Sequence, residues 1–139
     1  MVCTQIIASE SLLVDYESKI VSAINILDDF RSQTFPFAMK ISVLSAIRKE
    51  EKDKDDFEIS LEIALDKNVL VTKKLPIHFP KGYVNTKNIT KFGGLIIPSA
   101  GELIFRILQD GDVKNSLSLQ VSSADNPPKA VFVGEAKPI

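Results

Sequence analysis

From Phe57 to Leu65, apolar residues occupy every odd position (Phe57, Ile59, Leu61, Ile63, Leu65), while Glu58, Ser60, Glu62 and Ala64 fill the even ones. A period of two sends alternate side chains to opposite faces of an extended chain, so this stretch predicts a half-buried strand. Beyond Asp66-Lys67-Asn68 the pattern resumes at Val69, Val71, Leu75 and Ile77, interrupted by Lys73. A three-residue loop at 66–68 pairs Leu65 with Val69, Ile63 with Val71, Ile59 with Leu75 and Phe57 with Ile77. It keeps both apolar sides on one face and gives Asn68 a left-handed position that asparagine tolerates.

The same arithmetic applies to Leu103, Phe105 and Ile107 before Asp110-Gly111, and Val113, Leu117, Leu119 and Val121 after it. A two-residue Asp-Gly turn, with nothing else changed, sets Phe105 opposite Ser116 and Leu103 opposite Ser118, which mixes the faces. A three-residue loop at 109–111 instead pairs Ile107 with Val113 and Leu103 with Leu117, with Gly111 in the left-handed position. The expectation is therefore two hairpins, at 66–68 and 109–111.

Further strands are expected over Val2 to Ser9, Phe37 to Arg48 and Ile89 to Ile97, each bounded by turn-forming residues. Over Ser18 to Phe30 a helical face of Ile20, Ile24, Leu27 and Phe30 competes with a strand. The strand is preferred, because Ile26 falls on the polar side of such a helix and β-branched residues crowd the preceding turn. The polar run Lys49 to Asp56 reads as a mobile hairpin tip. The pattern predicts a single-domain antiparallel β-sandwich of the immunoglobulin-like kind with about seven or eight strands. It spans residues 1–123, followed by a Pro-containing tail at 124–139. Within the tail, Ala130, Val131, Phe132 and Val133 are apolar enough to form a last strand, a candidate to augment a sheet edge of this molecule or a neighbour.

The order of features resembles an uncharacterised family of small bacterial and phage-associated β-sandwich proteins. The residues that carry the resemblance are the strand Cys3 to Ala8, the strand near Ile20 to Leu27 ending before Phe35-Pro36, and the stretch Leu95-Ile96-Ile97-Pro98-Ser99-Ala100-Gly101-Glu102-Leu103-Ile104-Phe105. The resemblance implies a sandwich fold and a bacterial source. It implies no catalytic residue, because the family has none assigned.

Composition narrows the function classes. The 139 residues are 45% hydrophobic and 25% charged, which suits one globular core. The 17 basic and 18 acidic residues leave a net charge of −1 and form no basic stripe, which argues against nucleic acid as a partner. No stretch approaches the ~20 apolar residues of a membrane-spanning helix, so no membrane partner is expected. A single cysteine, and an N-terminus without a signal-peptide pattern, read as cytoplasmic.

Chemistry-bearing residues are few. His78, between Ile77 and Phe79 on the opposite parity, is expected to face solvent at a strand end, and Cys3 to be a small core side chain. Gly93-Gly94 lacks any phosphate-binding fingerprint and reads as a strand bulge or a turn. Asp53, Asp55 and Asp56 lack the glycine and distal glutamate of a calcium loop. Glu58, Glu62 and Glu102 are the only carboxylates singled out for paired acid–base work. No catalytic, cofactor or metal site is expected. The leading functional expectation is a non-enzymatic protein-interaction or assembly module, with self-association included. The alternative is a small-molecule site or minor hydrolase at the loop end near Tyr83, Asn85 and Asn88.

Overall fold

The alternating segments become the inner layer of two packed sheets. The structure, a computed structural model, describes residues 1–124 and contains nine strands: β1 (Val2–Val14), β2 (Val21–Ile26), β3 (Phe30–Ser32), β4 (Phe37–Arg48), β5 (Asp56–Leu65), β6 (Asn68–His78), β7 (Asn85–Ile97), β8 (Gly101–Gln109) and β9 (Asp112–Ser123). One sheet has the order β2-β1-β4-β7 and the other β3-β9-β8-β5-β6. The chain is an all-β sandwich, and among the described residues there is no helix. The segment 18–30 yields two strands, β2 and β3, which raises the count to nine. Pairing is antiparallel throughout except between β3 and β9, where Phe30 lies beside Val121 in a short parallel ladder.

The odd-numbered residues of β5 and β8 form the centre of the core. Ile59, Leu61, Ile63, Leu103, Phe105 and Ile107 are all but inaccessible, and Ile41, Val43, Ile47 and Ile97 meet them from the other sheet. Packing sheets face to face removes these side chains from water, the main favourable term in forming the sandwich.

Both hairpins turn more tightly than expected. In the first, Asp66 and Lys67 form the turn, Leu65 stands opposite Asn68, and Asp66 rather than Asn68 takes a positive φ of 52°. An irregularity after Ile63 then restores the expected pairs Ile63–Val71, Ile59–Leu75 and Phe57–Ile77. In the second, Asp110 and Gly111 take φ values of 51° and 84°, as a two-residue primed turn requires. Gln109 faces Asp112, and the register shifts beyond Leu108–Val113 to give Ile107–Asn115, Phe105–Leu117 and Leu103–Leu119. The expected Ile107–Val113 and Leu103–Leu117 pairs are therefore displaced by two residues. The need to match faces was real, but a bulge beside the turn satisfies it instead of a longer loop.

The run Lys49 to Asp56 also departs from expectation. It crosses from β4 in one sheet to β5 in the other, so it is not a hairpin tip. Nor is it loose: the N-terminal ammonium of Met1 lies 3.0 Å from Glu50 Oε1 and 2.7 Å from Asp53 Oδ2, and the Glu50 N–H donates to Asp53 at 2.8 Å. Met1 itself is buried in the core. Gly93-Gly94 forms a strand bulge, where Met39 pairs with Leu95 but Ile41 pairs with Phe92. The tail strand expected at Ala130 to Val133 lies outside the described residues.

Candidate interaction surface

β1 is long enough to serve two partners in succession. Val2 to Ser9 pair with β4, and Ser9 to Val14 pair with β2, so the distal halves of this hairpin form a two-stranded arm beyond the sheet. Its tip is tied by Asp15, whose carboxylate accepts from the Ser18 hydroxyl at 2.6 Å and the Ser18 N–H at 2.8 Å; these two bonds hold its pKa below the usual aspartate value. Lys19 follows with φ 62°, and its ammonium lies 4.8 Å from the centre of the Tyr16 ring.

Midway along, Asn25 has φ 54° and its amide donates to Glu10 Oε2 across the ribbon at 2.7 Å. A left-handed residue inside an extended strand redirects the chain, so the arm bends there. The bend brings Val14, Lys19 and Val21 over the outward face of β4 and β7. These three residues line one concavity of about 620 Å³ together with Gln5, Ala46, Asn85 and Lys87. Leu12 in the arm and Leu44 on β4 are both buried although they lie outside the inter-sheet core.

With its inner face turned toward the sheet, the ribbon presents the other face to water. Cross-strand partners share a face, so Leu13, Ile24 and Ile26 stand together, 54%, 44% and 64% exposed, with Tyr16 and Ile20 at the tip. Of the eleven large hydrophobic side chains exposed among the described residues, six belong to residues 13–26 and four (Val69, Tyr83, Val84, Ile96) to 69–96. Such concentration, as opposed to scattered single residues, marks interaction surfaces.

Two of the second group, Val69 and Ile96, border a cleft of about 650 Å³ at the side of the sandwich, between the edge strands β6 and β7, where they meet Val71, Phe92, Leu95 and Lys91. The two apolar surfaces differ in charge. The arm, residues 10–26, holds Glu10, Asp15 and Glu17 against Lys19 alone, whereas residues 67–101, which include both strands of the cleft, hold six lysines and no carboxylate side chain, Lys91 being the one that lines the cleft. The overall balance near zero conceals this segregation. A window count of charge along the chain is the signal that reveals it.

The residues singled out from sequence do not converge. His78 is exposed and pairs with Asp56 at 2.6 Å, and Cys3 is buried, with its thiol pKa pushed up by that burial against smaller opposing hydrogen bonds from Gln5 and Asn115. Glu62 is engaged by Arg106 at 2.9 Å. Glu58 lies four residues from Glu62 along β5, and Glu102 about as far away by register. Both separations are about 13 Å at ~3.3 Å per residue, beyond any carboxylate pair for glycoside chemistry. Asn85 contributes to the concavity under the arm, but Asn88 faces inward to accept from Thr90 at 3.1 Å, and Tyr83 is not part of the lining. Asp53 is taken by the Met1 ammonium. Among the described residues no group of three or more His, Cys, Asp or Glu is arranged to hold a metal ion. Nor, among the described residues, is any helix long and apolar enough to cross a membrane.

A family model described as a family of unknown function, DUF6941, matches residues 10–122. The chain belongs to DUF6941. The match opens at Glu10, the residue that receives the Asn25 amide, and closes at Ser122 in β9, so the DUF6941 region contains the distal arm, the β6–β7 cleft and all but the last residue of the five-stranded sheet. No curated protein matches the sequence.

Proposed function

We propose that this DUF6941 protein is a non-enzymatic interaction or assembly module that docks a protein partner on the outward face of its β1–β2 arm. The observation that carries this reading is the alignment of Leu13, Ile24 and Ile26 on one solvent-facing side of a ribbon whose other side is occupied. Exposing three aliphatic side chains in a row is unfavourable for a protein that works alone, and a covering partner removes the cost. In this reading the protein acts in a bacterial cytoplasm, and its sandwich is of the immunoglobulin-like kind that presents edges and loops to partners.

The test is affinity capture from the native cell with the intact chain and with a Leu13→Ser/Ile24→Ser variant of unchanged circular dichroism. A partner recovered with the first and lost with the second supports the reading. Identical recoveries from the two baits remove it.

A second reading, small-molecule binding, draws on the concavity beneath the arm, whose volume lies within the range of ligand sites. Most of its polar groups, from Thr4, Gln5, Lys19, Asn85 and Lys87, belong to exposed residues and only Thr86 is half-buried, which leaves a bound molecule wet and weakly oriented. The docking reading is therefore preferred.

A further inference from the structure

We infer that the partner of the arm is a second copy of this chain, bound head to tail, with the arm's outward apolar face seated in the lysine-bearing cleft between β6 and β7. This rests on the reading of the arm as a docking surface and adds the identity of the occupant.

Charge complementarity is the first argument. The arm, residues 10–26, carries Glu10, Asp15 and Glu17 against Lys19 alone, and the cleft is lined by Lys91 and no carboxylate side chain, with Lys73, Lys74 and Lys87 farther along its two edge strands. Two arms facing each other would bring six carboxylates against two lysines to one contact, and two clefts would set lysine against lysine, so both self-matched pairings are repulsive. Arm against cleft is the pairing in which the charges attract.

Shape and apolar content agree. The arm offers a narrow ribbon with three aliphatic side chains on one side, and the cleft is concave and walled by Val69, Val71, Phe92 and Ile96. Val69 and Ile96 are 55% and 54% exposed, so the cleft has uncovered apolar surface of its own to bury. The edge strands beside it are guarded against pairing with a like edge by Lys73, Lys74 and Pro76 on β6, and by Lys87, Lys91 and the Gly93-Gly94 bulge on β7. A strand flanked by carboxylates meets those lysines favourably.

Because the two surfaces differ, the contact is heterologous. Each copy keeps one free arm and one free cleft until the chain of copies closes into a ring or continues as a filament.

The test uses purified protein and two variants altered only at exposed positions: an arm variant, Leu13→Asp/Ile24→Asp, and a cleft variant, Val69→Asp/Lys91→Glu. Sedimentation velocity over a concentration series should show mass rising above that of one chain for the natural protein, with association weakened by added salt. Each variant alone should be monomeric. An equimolar mixture should give a one-to-one pair and nothing larger, since only one intact arm and one intact cleft remain complementary. Leu13→Ser/Ile24→Ser and Lys91→Ala, milder at the same positions, should each weaken association about tenfold and serve if the charged variants fail to fold. A natural protein that stays monomeric at all concentrations overturns the inference, as does a dimer that survives the cleft substitutions. Capture of an arm-dependent partner other than this chain would then show that the docking reading stands while its self-recognising form does not.

Discussion

Asn25 reaches across the arm to Glu10 at 2.7 Å from a backbone held at φ 54°, so one residue both bends the ribbon and ties the bend. Few side chains accept that conformation, because a Cβ crowds the following carbonyl at a cost of roughly 1–2 kcal/mol. Asn25→Val should lower stability by about that amount and loosen the arm, whereas Asn25→Gly keeps the bend and loses only the hydrogen bond. Thermal unfolding, with hydrogen exchange of residues 10–26, reads both effects.

Gly101 offers a second backbone test. It sits at φ 155°, and a Cβ placed there would come within 2.6 Å of Asp66 Oδ2, while Asp66 Oδ1 already accepts from the Glu102 N–H at 3.0 Å. Gly101→Ala should destabilise by about 1–3 kcal/mol, from strain and from the displaced carboxylate. In the double variant with Asp66→Ala, the two losses should fall short of additive, since the clash has been removed. Denaturant unfolding of the four proteins gives the coupling.

The clamp on Met1 sets an acid response. Burial pushes the Asp53 carboxyl up, but the Met1 ammonium and the Glu50 N–H outweigh it and hold the pKa below the usual aspartate value; Glu50 is lowered chiefly by its own bond to the ammonium. A folded-state pKa below the unfolded one means the folded state favours the ionised form. The contribution is fully present above the ordinary carboxylate range near pH ~4 and is lost as the pH falls through the lower folded value. Asp53→Asn should be less stable than the natural protein at neutral pH and lose less on acidification, so the two melting curves converge in strong acid.

Cys3 should resist thiol reagents in the native protein. It is buried and its thiol pKa is raised, so thiolate and access are both scarce. Labelling by a disulfide reagent should run on the order of 100-fold slower than in denaturant. Rapid native labelling would indicate that the start of β1 opens readily.

How far the sequence could be read depended on the range of the signal. Alternation is local and marks β5, β6, β8 and β9, and the turn-forming residues on either side mark the extent of β4. The demand that Phe105 and Leu117 share a face is likewise local. Whether an extra loop residue or a bulge meets that demand depends on small backbone energies near Leu108 and Val113, which the apolar pattern does not encode. The arm was harder to foresee. Val21 to Ile26 looks like a core strand, yet Ile24 and Ile26 face water because β2 pairs only with the distal half of β1. The clamp between Met1 and Asp53 joins residues 52 positions apart through charge, and no periodicity reports that. The opposed charges of arm and cleft were present in the composition throughout, averaged away by a whole-chain sum.

The parallel seam between β3 and β9 bears on how the chain is made. Asp29 accepts from the Gln120 N–H at 2.7 Å across 91 positions of sequence, and Phe30 lies beside Val121. At ~5–20 residues per second, Phe30 is added to the chain about 5–20 s before its neighbour. During that interval the arm and β4 must persist without the strand that closes the opposite sheet, and the nascent chain then has a greasy flank that holding factors could recognise before translation ends.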